Sequence, residues 1–100
     1  MKITLSVLFL FVVMAFAGFE AQAQKAVCKV ADPTGTLLNV RAVALSNGRI
    51  VGRLRNGTVV RIEYWEKDRV TAYPWAKISV NRNRRYVPLG FVFPDYLNCD

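Results

Sequence analysis

The chain reads as a small all-β domain, and three observations predict it. Valine and isoleucine alternate with polar residues in short runs from Cys28 onward. Turn-forming pairs recur at intervals of about ten residues, as they do in sandwiches and barrels. No stretch of that region spaces its apolar residues as an amphipathic helix does. Such a pattern packs into a small barrel or sandwich, here of about five short strands.

The elements come in this order. Cys28-Lys29-Val30 starts a strand, and Asp32-Pro33-Thr34-Gly35 is a turn or loop. Leu38-Asn39-Val40-Arg41 alternates in and out. Asn47-Gly48 turns the chain into Ile50 to Arg55. Asn56-Gly57 is the strongest short hairpin signal, with glycine supplying positive φ. It feeds Thr58 to Tyr64, where Thr58, Val60, Ile62 and Tyr64 are expected on one face. Glu66 to Arg69 is a charged loop. Trp75 to Val80 is a strand with Ala76, Ile78 and Val80 inward. Asn81 to Arg85 is a basic turn, and Gly90-Phe91-Val92 a final short strand. Leu38, Val40, Leu54, Val60, Ile62, Ala76, Ile78, Val92 and Leu97 are the expected core.

Residues 1–23 read differently. Lys2 gives a positive start, Val7 to Ala17 is an unbroken apolar run, and Ala21-Gln22-Ala23 is the small-x-small pattern a signal peptidase cuts. The run is short for a membrane span, and no basic stop-transfer cluster follows it directly. The expectation is a signal peptide at 1–23 and one domain at 24–100, secreted or periplasmic, with no transmembrane span after processing.

Removing 23 of the 100 residues leaves 77, enough for one small core. Lys2 and Glu20 leave together, so the net charge stays +7. With no histidine, that charge hardly changes across neutral pH. A compact basic domain attracts anionic surfaces: wall polymers, acidic headgroups, acidic proteins or extracellular nucleic acid.

Cys28 and Cys99 are the only cysteines. In an oxidising compartment such a pair is expected to be bridged. A loop that long adds about 4 kcal/mol in the chain-entropy model. Two distant cysteines without histidine do not make a zinc set, so no metal and no cofactor is expected.

A resemblance appears in the motifs taken together. Leu38-Asn39-Val40-Arg41, Asn56-Gly57-Thr58, Trp75-Ala76-Lys77-Ile78 and Gly90-Phe91-Val92, then Asp95-Tyr96-Leu97, occur in the order and spacing of bacterial SH3-like (SH3b) domains of the exported type. The likeness covers nearly all of 24–100 and implies an SH3-like barrel closed by a terminal disulfide. The chain departs from the group at Phe91, usually tryptophan, and at Ala44 and Leu37, where proline is common. Gly90 precedes Tyr96 by six positions, as a glycine precedes the groove tyrosine of eukaryotic SH3 domains. Pro94 is one position late, so recognition of proline-rich peptides does not carry over.

No Ser-His or Cys-His pair can form without histidine, and the acids read as turn formers or solvated groups, Glu63 and Glu66 among them. The expectation is a non-catalytic module. Its many aromatics suit a shallow groove. Tyr96 and Trp75 are the expected ligand-contact pair, with Tyr73 at the rim. Trp75 is divided between groove and core, Tyr64 is assigned to the core, and Trp65 to solvent. Two basic sets are candidates for an anionic partner. Arg82, Arg84 and Arg85 crowd one turn. Arg53 and Arg55 lie on one strand, with Arg61 expected beside them across the hairpin. Specific nucleic-acid recognition is not expected. Two readings stand: a module binding cell-wall material (peptidoglycan peptide or associated anionic polymer), and a protein-interaction module, adaptor or inhibitor, for another exported protein.

Overall fold

The structure is a computed structural model that describes residues 25–100, so the leader and its cleavage point lie outside the described residues. Seven antiparallel strands form one sheet: β1 (Val27–Val30), β2 (Leu38–Arg41), β3 (Ile50–Leu54), β4 (Val59–Lys67), β5 (Pro74–Arg82), β6 (Arg85–Val92) and β7 (Leu97–Asn98). A single 3₁₀ turn, Pro94–Tyr96, precedes β7. The sheet order is β3-β2-β6-β5-β4-β1-β7. It curls into a half-barrel. No helix among the described residues is long and apolar enough to cross a membrane.

The expected all-β class holds, but seven strands replace about five. β6 starts at Arg85, well before Gly90, and runs through Pro88. Proline in a strand usually argues against it. Here Ser79 pairs with Pro88 while Ile78 pairs with Gly90, so Leu89 is an extra residue and the ladder is already interrupted. β7 is only two residues long, below what alternation can reveal.

Three such bulges bend the sheet. Val51 is the extra residue of β3 against β2, Glu63 of β4 against β5, and Leu89 of β6 against β5. A bulge sharpens local twist, which lets one sheet wrap its own core. The bulge at Glu63 also resets the alternation of β4. Ile62 faces inward, yet Tyr64 turns out and is 50% exposed, against the expectation that it joins the core.

The core matches the period-two reading closely. Cys28, Val30, Leu38, Val40, Val60, Ile62, Ala76, Ile78, Val80 and Val92 form one buried cluster, with Leu54, Leu89, Tyr96 and Leu97 packed on its rim. A second cluster of Ala44, Trp75 and Phe91 lies apart from it, with Phe93 against it.

The Asn56-Gly57 turn forms but does not make a hairpin ladder. The Thr58 N–H donates to the Arg55 carbonyl at 3.1 Å, and Gly57 takes a φ of +88°. Beyond it the strands diverge: β3 pairs with β2, and β4 pairs with β1 and β5. Asn56 explains the divergence. Its Oδ1 accepts from the Asp32 N–H at 2.7 Å, and its Nδ2 donates to the Asp32 carbonyl at 2.9 Å. The side-chain amide pairs with the chain just after β1 as a strand backbone does. Arg53 therefore faces Asn39 and not Val60, and Arg61 is not its neighbour.

The basic turn is a true two-residue hairpin. Arg82 pairs with Arg85, and Asn83 and Arg84 both adopt positive φ, 52° and 66°.

Cys28 and Cys99 are bonded, 71 residues apart. The bridge ties β1 to the residue after β7, the shortest strand. It also fits an oxidising environment. Replacing both cysteines by serine is expected to lower unfolding free energy by about 4 kcal/mol. Urea titration of the two proteins under non-oxidising, metal-free buffer measures the difference, and equal midpoints contradict it.

Of the glycines in the sheet, Gly90 is the most closely packed. A Cβ placed there would stand 2.6 Å from the Arg41 carbonyl oxygen and 2.8 Å from Val40 Cγ1. Backbone cannot give way as a flexible side chain can. Gly90→Ala is therefore expected to cost about 2 kcal/mol, seen as a lower thermal midpoint, whereas Gly35→Ala meets no atom within 4 Å and pays only its positive-φ strain.

Candidate functional site

The groove forms where β5 begins, β6 ends and the loop before β2 folds over. Aromatic rings line one wall: Trp75 from β5, Phe93 just after β6, and Tyr96 from the 3₁₀ turn. The opposite wall carries Leu37, Asn39 and Arg41. The cavity between them is about 350 Å³.

Phe93 is the hub of the aromatic wall. Tyr73 stacks on it at 4.6 Å with planes 8° apart. Trp75 meets it edge-on at 5.3 Å and 78°. Tyr96 lies 6.0 Å away, tilted by 43°. Such offset and edge-to-face contacts each add about 1 kcal/mol beyond area burial. The Tyr73 hydroxyl donates to Asp95 Oδ1 at 2.6 Å, which pins the stack to the 3₁₀ turn. That bond also raises the Tyr73 pKa above its ordinary value, because the phenol is held as a donor.

Trp75, Tyr96 and Tyr73 are thus brought together as the sequence suggested, and Phe93 is the member it did not single out. Its signal was the spacing Phe93-Pro94-Asp95-Tyr96. A 3₁₀ turn sets residues three apart on one side. Trp75 settles between its two readings: it is only 4% exposed, yet one side lines the groove. Its indole N–H is buried with no hydrogen-bond partner among the described residues.

Two charged residues, Arg41 and Asp32, line the groove. Arg41 donates from Nη1 to the Gly48 carbonyl at 2.8 Å, which holds the β2–β3 loop and fixes a cation on the wall. Asp32 lines the groove as well. Its Oδ1 accepts from the Thr34 hydroxyl at 2.6 Å and the Thr34 N–H at 2.9 Å. These bonds hold its pKa below the ordinary carboxylate value.

The arginine hairpin is elsewhere. Arg82 ends the strand that Trp75 nearly begins, seven residues away, or about 23 Å along an extended chain. Arg82, Arg84 and Arg85 therefore do not share the groove. Arg53 and Arg55 sit at the free edge of β3 and just beyond it.

Glu63 differs most from its expected solvated state. It lies on the sheet face shared by Arg61, two residues back, and its side chain is 15% exposed. Oε2 takes the Arg61 Nε–H at 2.6 Å and the Ser79 hydroxyl, and Oε1 takes Lys25 Nζ at 2.6 Å. Arg61 in turn lies 4.0 Å over the Tyr86 ring. One carboxylate thereby joins the segment before β1 to β4, β5 and β6.

No family model, no curated protein and no solved structure matches this chain.

The Arg61 hydrogen bond first, then those from Lys25 and Ser79, depress the Glu63 pKa from 4.5 to about 2. A depressed carboxylate contributes stability that is present above its unfolded pKa and lost as pH falls through its folded one. Stability is therefore expected to drop between about pH 4.5 and 2. Glu63→Gln should flatten that part of the curve, measured by thermal unfolding at stepped pH. An unchanged slope removes Glu63 as its source.

Proposed function

We propose that this is a non-catalytic exported module of SH3-like type that binds cell-wall material through the Trp75–Phe93–Tyr96 groove. The observation that carries the reading is the groove itself. Three aromatic rings line it together with a fixed arginine and a hydrogen-bonded carboxylate. Aromatic faces suit sugar rings and peptide backbones, and one cation and one carboxylate in the lining suit a ligand that has both charges. Peptidoglycan stem peptides have that chemistry. The disulfide and the apolar leader support a secreted or periplasmic location.

The arginine hairpin has a separate part in this reading. Net charge of +7 draws the module to anionic polymer from any direction, and the groove then selects. Arg82, Arg84 and Arg85 stand on a projecting two-residue turn, able to reach a flat polymer.

Retention on purified wall sacculi tests the proposal without any added protein. Tyr96→Phe keeps the ring and removes one hydroxyl, so retention is expected to fall about fivefold with thermal stability unchanged. Replacing Arg82, Arg84 and Arg85 by serine should weaken retention more than replacing Arg53 and Arg55. Retention should also fall steeply as salt shortens the Debye length below about 8 Å. Full retention by Tyr96→Phe defeats the groove. Capture of a protein with no retention on sacculi favours the interaction-module reading instead.

A further inference from the structure

We infer that the arginine hairpin at the β5–β6 turn is a phosphate site, and that it holds a phosphate ester of the wall-associated anionic polymer. The inference rests on the reading of that hairpin as the element that reaches the polymer, and it names the group taken there. Two features of the turn are unfavourable in the protein alone. Arg82 and Arg85 are register partners, so their side chains share one face with Cβ atoms about 5 Å apart. Like charges placed directly opposite one another destabilise a sheet. Arg84 takes a φ of 66° at the second turn position. Two-residue turns with positive φ at both positions favour Asn-Gly, and here Asn83 is followed by arginine where glycine would be free of strain. A bulky side chain held in the left-handed region costs stability, and such costs collect where a function keeps them.

The surrounding charge does not offset these cations. No Asp or Glu occurs from Arg69 to Pro94, a span that contains the whole of β5 and β6. The ion pairs among the described residues join Lys25 and Arg61 to Glu63 and include none of Arg82, Arg84 and Arg85. On the adjoining strand β4 the acids lie toward the other end. Glu66 is opposite Trp75, and Glu63 follows Ile62, the partner of Ile78. Ile78 is four residues before Arg82, about 13 Å along the strand. The Glu63 carboxylate is itself outnumbered by Lys25 and Arg61. On the other side of β6, β2 carries Arg41 and no acid. All three hairpin arginines are exposed and open to a ligand.

Donor geometry chooses the anion. A guanidinium is a planar fork of N–H donors, and one fork fills the two oxygens of a carboxylate. A tetrahedral phosphate turns its oxygens in different directions, so two opposed guanidiniums can each donate to it. A phosphate ester seated between Arg82 and Arg85, with Arg84 at the apex, replaces their repulsion with charge-assisted hydrogen bonds.

Titration of the disulfide-bonded protein with pyrophosphate, and with citrate as a carboxylate anion of similar charge, tests the site through amide chemical shifts. Pyrophosphate is expected to move the amides of Asn81 to Tyr86 and to bind about tenfold more tightly than citrate, the worth of one further charge-assisted hydrogen bond. Arg82→Lys with Arg85→Lys keeps the net charge and should lose that preference. Arg84→Gly should raise the thermal midpoint by about 5 °C while weakening pyrophosphate about tenfold, whereas a residue serving only the turn gives the first effect alone. Sacculi stripped of phosphate esters with cold hydrofluoric acid should retain the protein less than untreated sacculi do. Equal binding of citrate and pyrophosphate overturns the inference. So does full preference in the lysine variant, since charge alone then suffices, or unweakened binding by Arg84→Gly. Retention that survives stripping, or pelleting with phosphatidylglycerol vesicles without retention on sacculi, overturns the polymer as the source. A pyrophosphate preference with no retention on either kind of sacculi defeats wall binding, and the polymer with it, while the phosphate site stands.

Discussion

The crossing of β2 over β6 at Gly90 is the constraint on which the rest depends. Only a residue without Cβ lets the Arg41 carbonyl and Val40 approach that closely. The crossing joins β2 and β3 to the other five strands through one register pair, Arg41 with Phe91. It brings Val40 into the main cluster with Ile78 and Val92. It also brings the wall with Leu37, Asn39 and Arg41 opposite the aromatic wall. Core and groove are two faces of one contact.

The bulges do the complementary work. A sheet that wraps its own core must turn steeply, and an extra residue in one strand is the local way to do so. Each extra residue also re-aims the next stretch of its strand. Leu89 makes a place for Pro88. Glu63, the extra residue of β4, is the carboxylate shared by Lys25, Arg61 and Ser79, and after it Tyr64 is moved from core to solvent. The same irregularity that curves the sheet thus supplies its one ion-pair hub among the described residues and one exposed aromatic.

The long β5 strand sets the functional layout. Its first residues hold Trp75 in the groove and come just after the tip of the β4–β5 loop, and its last residue opens the arginine hairpin. Groove and tip therefore share one end of the strand, with Tyr73 between them, while the arginine cluster lies at its other end, about 23 Å along the extended chain. Tyr73 links the two near features physically: its backbone carbonyl closes the tip loop, and its ring and hydroxyl brace Phe93 and Asp95.

By itself the sequence determined whatever depends on local pattern. Alternation of β-branched residues marked the inward faces of β2 and β5, because side chains in a strand have period two. The Asn-Gly turn and the basic turn were legible from residue type, since positive φ has few candidates. Cys28 and Cys99 were legible as a pair because there is no other. Tyr96, Trp75 and Tyr73 were legible as candidates from the resemblance and their chemistry. Only the tertiary structure decided the rest. Alternation carries no mark of where a bulge resets it, so Tyr64 was placed in the core; neighbouring charges in the sequence do not tell which of them will converge on one carboxylate, so Glu63 was placed in solvent. A turn signal says that the chain reverses, not that the strands beside it pair, and the Asn56 clamp on Asp32 sends β4 to β1 instead of β3. The role of Phe93 and the separation of the arginines from the groove depend on distances along and across the sheet. Those distances are set by which strands neighbour one another, and contacts between residues far apart in the chain decide that order.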